Sequence, residues 1–105
     1  MKILFDQGTP APLRRSLVGH SVDTAYERGW SELRHGDLLT EAELSGYDLL
    51  ITTDQSIRHQ QNLSGKHLGI VVLLSTSWPR IQARIGDVQE VVDGMQPGDY
   101  REVSI

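Results

Sequence analysis

Apolar positions along the chain follow two patterns, and each predicts a different kind of element. The first pattern is the short unbroken run. Ile3-Leu4-Phe5 stops abruptly at Asp6-Gln7-Gly8-Thr9-Pro10, and Leu49-Leu50-Ile51 stops at Thr52-Thr53-Asp54. Residues 68–74 are apolar except for Gly69. Compact runs bounded by turn residues predict buried strands. Residues 20–25 are a weaker strand candidate, supported by Val22 and Thr24, and 100–105 read as a final edge strand.

The second pattern has helical spacing. Ile81, Ile85, Val88, Val92 and Met95 follow offsets of 4, 7, 11 and 14, one continuous apolar stripe. Ser75-Thr76-Ser77-Trp78-Pro79 opens that helix and Pro97-Gly98 ends it. Leu13 and Leu17 give an earlier helix its inward face, with Thr9 as cap, Pro10 in the first turn and Gly19 as stop. Asp37 stands after Gly36 and before Leu38-Leu39, where an N-cap is expected, and Gly46 closes that helix. Residues 56–63 predict a short helix ended near Gly65. Residues 27–36 predict a loop pinned to the body by Trp30 and Leu33.

Strands alternating with helices, with strands apolar throughout, predict a mostly parallel sheet covered on both faces. The expected architecture is a single three-layer α/β/α domain over residues 1–105, since 105 residues support one core and no repeat or linker interrupts them. The longest apolar run is too short to cross a bilayer, and the N-terminus reaches Asp6 too early for a secretion signal. The chain has no cysteine, which excludes a disulfide framework, a thiolate zinc site and a cysteine nucleophile. A cytoplasmic location without a membrane partner is the expectation.

Parallel sheets place ligand sites at the carboxyl ends of their strands. Asp6 and Asp54 each follow a strand directly, and Asp37 opens a helix that starts at the same edge. The topology therefore brings three carboxylates toward one cleft, where a hard cation such as Mg²⁺ or Mn²⁺ relieves their repulsion. Such a cation polarises phosphate and activates water. Each aspartate also has a plain structural reading. Asp6 can hydrogen-bond the following turn, Asp37 can be an N-cap only, and Asp54 can cap the helix at Ser56.

Asp6 after the first strand, Asp37 in a Gly-Asp-Leu-Leu helix start, and Leu50-Ile51-Thr52-Thr53-Asp54-Gln55 together resemble the PIN-like domain family, in its small toxin-like branch. The resemblance runs from Met1 through the Trp78-Pro79 helix; its most specific part joins the Asp54 segment to Gln60-Gln61-Asn62-Leu63. It implies a Mg²⁺- or Mn²⁺-dependent ribonuclease, the toxin of a toxin–antitoxin pair. Asp6, Asp37 and Asp54 are then the catalytic, metal-binding acids, with Thr53 beside them on the substrate. The implied partners are RNA, a small antitoxin protein and a second copy of the chain in a homodimer. The chain departs from the family in lacking a fourth acid after Asp54 or after the next strand, and in carrying Gln7 beside Asp6. Glu41, one turn after Asp37, is the candidate for the missing ligand. The departures also support a catalytically inactive PIN-like module that binds a metal or a protein. A receiver-like phosphoacceptor, with Asp54 as acceptor and Thr76 as switch hydroxyl, lacks the second acid after the first strand and the lysine after the last.

His20, His35, His59 and His67 have no ligand spacing, and Gly65-Lys66-His67 is not a phosphate loop. Trp30 and Trp78 are candidates for stacking on bases or for packing under a loop and at a helix start. The net charge of −4 argues against a nucleic-acid partner when taken in bulk. Its distribution argues otherwise. Residues 55–86 contain no Asp or Glu but hold Arg58, Lys66, Arg80 and Arg84, whereas 87–102 hold Asp87, Glu90, Asp93, Asp99 and Glu102 against Arg101 alone. Arg58, four residues after Asp54, is the candidate for holding a substrate phosphate.

Overall fold

In the computed structural model the three strong apolar runs and the two weaker ones all become strands of one sheet. They are β1 (Lys2–Phe5), β2 (Ser21–Thr24), β3 (Leu49–Thr52), β4 (Gly69–Leu73) and β5 (Tyr100–Val103). Residues 1–105 are described apart from 61 and 64, and of 35 and 60 the backbone alone. The spatial order is β2-β1-β3-β4-β5, and every neighbouring pair is parallel. Every residue of β3 and β4 is buried, which is why these two runs are apolar without alternation.

The connections cover both faces. A 3₁₀ helix (Ala11–Ser16) follows β1, α1 (His35–Leu44) precedes β3, and α2 (Ile57–Gln60) follows it. Helices α3 (Trp78–Gln82) and α4 (Ile85–Asp93) join β4 to β5. One face packs Ile3, Phe5, Leu49, Ile51, Val71 and Leu73 against Leu13 and Leu17 near the 3₁₀ helix and against Ile81, Val88 and Val92. The other packs Leu4, Leu50, Ile70 and Val72 against Leu38, Leu39 and Ala42 of α1 and Ile57 of α2. The result is the expected three-layer α/β/α domain. No helix among the described residues is long and apolar enough to cross a membrane.

Four features differ from the sequence pattern. The stripe from Ile81 to Met95 is carried by two helices rather than one, because Arg84 leaves helical geometry at φ −116°, ψ 22°. The stripe survives the break: Ile81, Val88, Val92 and Met95 are all buried. Thr9 does not cap the 3₁₀ helix; its hydroxyl is taken by Asp6 and by the Ile51 carbonyl. Helix α1 starts at His35, so Asp37 is its third residue rather than its cap. The carboxylate still lies in the first turn, where the helix dipole favours it. Gly46 ends α1 at φ +78°, a left-handed conformation that glycine adopts without strain. Helix α2 covers only residues 57–60 of the span 56–63. Position 61 of that span lies outside the described residues, and Asn62 and Leu63 are not helical.

The chain leaves β1 for β2 on one side and returns to β3 on the other. The crevice between the carboxyl ends of β1 and β3 is therefore the point where the winding reverses, the place where parallel sheets bind ligands.

Candidate functional site

Asp6 and Asp54 emerge at that crevice. Both line a cleft of about 330 Å³ together with Gln7, Gly8 and Thr53. Its apolar wall is Ala25, Trp30, Leu33 and Leu38, with Ser31 between. The lining thus combines carboxylate and hydroxyl groups with aromatic and aliphatic ones.

The position of Asp6 follows from strand register. Phe5 pairs with Ile51, so the next residues, Asp6 and Thr52, lie side by side. The Asp6 amide donates to the Ile51 carbonyl at 3.1 Å, continuing the ladder by one step. Asp6 is 7% exposed, and its carboxylate accepts on both oxygens. Thr9 Oγ1 donates to Oδ1 at 2.7 Å, and the fully buried Thr52 hydroxyl donates to Oδ2. Thr52 Oγ1 in turn accepts the Asp54 amide at 3.1 Å. That contact occupies a Thr52 lone pair and leaves its proton for Asp6. A relay of three groups thereby links the two acids through the backbone of one and the side chain of the other.

Asp54 is half-buried, and its Oδ1 accepts the Ser56 amide at 3.0 Å and the Ser56 hydroxyl at 2.7 Å. Asp6 therefore ties the turn after β1, and Asp54 ties the turn before α2. A carboxylate has about four lone-pair positions. Two hydrogen bonds to Asp6, one on each oxygen, leave acceptor capacity on the carboxylate of a cleft-lining residue.

Thr53 lines the cleft close to Gly8. A Cβ built on Gly8 would stand 2.8 Å from Thr53 Oγ1 and 3.9 Å from Asp6 Oδ1. Glycine at position 8 thus keeps room beside both oxygen-bearing groups.

The other expected site residues are placed elsewhere. Asp37 is exposed on α1, and it is its neighbour Leu38 that lines the cleft. Glu41 is half-buried one turn further along α1 and does not line the cleft. Arg58 sets its guanidinium over the Tyr100 ring, 5.5 Å from the centroid, and is not a lining residue. Among the described residues, no group of three or more His, Asp or Glu side chains is placed to hold a metal ion. Of the basic residues in 55–86, none lines the cleft, and Arg84 pairs with Asp87 at 3.4 Å.

Several contributors had only weak sequence signals. Thr52 reads as part of a strand, and its role requires the register of β1 on β3. Thr9 reads as a cap. The arrangement behind the apolar wall joins distant segments. Arg28 lies 4.5 Å over the Trp30 ring, Trp30 meets Tyr47 edge-on at 6.1 Å, and Lys2 Nζ lies 4.4 Å over Tyr47. The Tyr47 hydroxyl donates to Asp23 at 2.6 Å. Burial, followed by that contact with Asp23, pushes the Tyr47 phenol up to about 12, against the opposing charge of Arg28.

No family model, curated protein or solved structure matches this chain.

Proposed function

We propose that the β1/β3 cleft is a phosphodiesterase site that holds one Mg²⁺ or Mn²⁺ and hydrolyses RNA. The observation that carries this reading is the convergence of two strand-end carboxylates, Asp6 and Asp54, on one cleft at the reversal point of the sheet. Mg²⁺ characteristically takes one or two carboxylates and completes its shell with water and substrate phosphate. Two acids with Thr53 beside them fit that demand for one ion, not two. A divalent cation supplies electrophilic polarisation of a phosphate oxygen and activation of water. The chain's own part is to hold the acids. Thr9 and Thr52 fix the Asp6 carboxylate, and Ser56 fixes Asp54. The apolar wall excludes water from one side of the cleft. Asp37, next to the lining residue Leu38, is the nearest further acid along α1, with Glu41 behind it. The setting as a toxin with an antitoxin partner rests on the resemblance of the Asp6, Asp37 and Asp54 segments alone.

A second reading, an inactive metal-binding module, draws on the structural hydrogen bonds that both acids already make. One experiment separates the two. Purified protein is given single-stranded and structured RNA with Mn²⁺, beside Asp54→Asn. Asparagine keeps an acceptor for Ser56 but loses the charge. Cleavage by the unsubstituted protein should fall more than ~100-fold in the variant, beyond the 10–100-fold typical of groups that only support a ligand. Equal cleavage by both overturns the nuclease reading. Mn²⁺ binding by calorimetry without cleavage supports the inactive module.

A further inference from the structure

Trp30 is the one aromatic side chain among the described residues that line the cleft, and it shares that lining with the two acids. Its place is fixed before any ligand arrives. Its amide donates to the Ala25 carbonyl at 2.8 Å, and its carbonyl accepts the Leu33 amide at 3.0 Å. Tyr47 buttresses the ring edge-on. Trp30 is only half-buried, so the packing leaves part of the indole open. Gly29, at φ +74°, turns the chain so that Arg28 folds back over the same ring at 4.5 Å. A guanidinium carries five in-plane N–H donors, and the contact of Arg28 with the Tyr47 phenol takes up only part of them. Arg28 itself is exposed.

We propose that Arg28 and Trp30 form the nucleotide-reading element of this cleft: Trp30 stacks an unpaired base, and Arg28 meets the phosphate beside it. The proposal deepens the phosphodiesterase reading and rests on it for the identity of the ligand. Three physical points carry it. A phosphate approaching Asp6 and Asp54 is repelled; Arg28 is not itself a lining residue but stacks on the lining Trp30 and so brings a positive charge to that wall, whereas the Tyr100 ring under Arg58 does not line the cleft. A cleft of about 330 Å³ is at the small end of ligand sites and suits one nucleotide. An aromatic wall reaches only a base that has left its stack, so duplexes are excluded. A fixed ring also loses little entropy on binding, which favours recognition by a small site.

The test reads binding rather than cleavage. The chain has two tryptophans, so Trp78→Phe leaves Trp30 as the only indole. AMP and ribose 5-phosphate are titrated with Mg²⁺ present. AMP should quench Trp30 fluorescence saturably, and ribose 5-phosphate should not. Calorimetry on the unsubstituted protein should show AMP binding about 5- to 150-fold tighter than ribose 5-phosphate, the range a stacked base supplies. Trp30→Ala should erase that difference with an unchanged circular dichroism spectrum, and Trp30→Phe should restore part of it. Arg28→Gln should weaken both ligands alike and flatten their salt dependence. Equal affinity for the two ligands, absence of AMP binding, or an unaltered AMP preference in Trp30→Ala overturns the proposal. RNA cleavage that ignores Trp30→Ala would sink this inference while leaving the nuclease reading standing. Trp30-dependent AMP binding without cleavage would do the reverse.

Discussion

Tyr47 connects the stability of the domain to the wall of the cleft, and alkaline pH isolates its contribution. The side chain is 2% exposed, its hydroxyl donates to Asp23, and its ring supports Trp30. Burial first and Asp23 second raise its pKa from 10.0 to about 12. The folded state therefore holds the phenol proton more tightly than the unfolded state does. The stabilisation is fully present below pH 10 and is lost as pH climbs through 12. For a two-unit separation the loss is about 1.4 kcal/mol by pH 11 and approaches about 2.7 kcal/mol once both states are ionised. Tyr47→Phe removes the proton and with it this slope. At neutral pH the variant should be less stable by about 1–3 kcal/mol, because Asp23 loses a donor. Near pH 11 that deficit should shrink by about 1.4 kcal/mol. Tyr100, also raised to about 12 by burial and Glu102, gives both proteins a common background slope that cancels in the difference. Urea unfolding of the two proteins at pH 8, 9, 10 and 11 measures it. Parallel stability curves across that range would refute the assignment of the raised pKa to Tyr47.

Two further predictions concern the acids and the β4 entry. Asp6→Asn should cost about 1–3 kcal/mol, because an amide presents one oxygen where Thr9 and Thr52 donate to two, and Asp54→Asn should cost less than Asp6→Asn, because its one oxygen still receives both donors of Ser56. Denaturant midpoints compare the two, and equal losses would deny Asp6 its structural share. Glu43 accepts the His67 and Leu68 amides at 2.7 and 2.8 Å, tying the segment that enters β4 to α1. Glu43→Ala should destabilise by about 1–3 kcal/mol and accelerate hydrogen exchange at those two amides. Unchanged exchange at Leu68 would show that the contact is not maintained in solution.

The sheet was legible in the sequence because strands buried on both faces must be apolar at every position. Leu49-Leu50-Ile51 and the run through Val71-Val72-Leu73 carry that mark without help from tertiary context. Residues 20–25 were faint for the complementary reason: β2 is an edge strand with no fully buried residue. The split between α3 and α4 was hidden, since a stripe with helical offsets survives a short break that keeps Ile81 and Val88 on one side. Helix α1 misplaced its own start in the sequence. An aspartate is favoured throughout the first turn as well as at the cap, so Asp37 marked the turn and not the boundary.

The candidate site divides along the same line. Asp6 and Asp54 could be placed together from strand direction alone, because two parallel neighbours must deliver their carboxyl ends to one edge. The groups that hold or face them needed more. Thr52 acts on Asp6 only through the pairing of Phe5 with Ile51, and Arg28 reaches Trp30 only through the turn at Gly29. Register and turn geometry are properties of the folded backbone, and no spacing along the chain encodes them. This explains why the structural and the chemical readings of Asp6 do not compete. The register that makes Thr52 and Thr9 bind the carboxylate still leaves it acceptor capacity, and Asp6 lines a cleft that Trp30 also lines. An acid whose only task was to close the turn after β1 would need Thr9 alone. The second donor, buried inside β3, gives Asp6 a single orientation at the edge of the cleft.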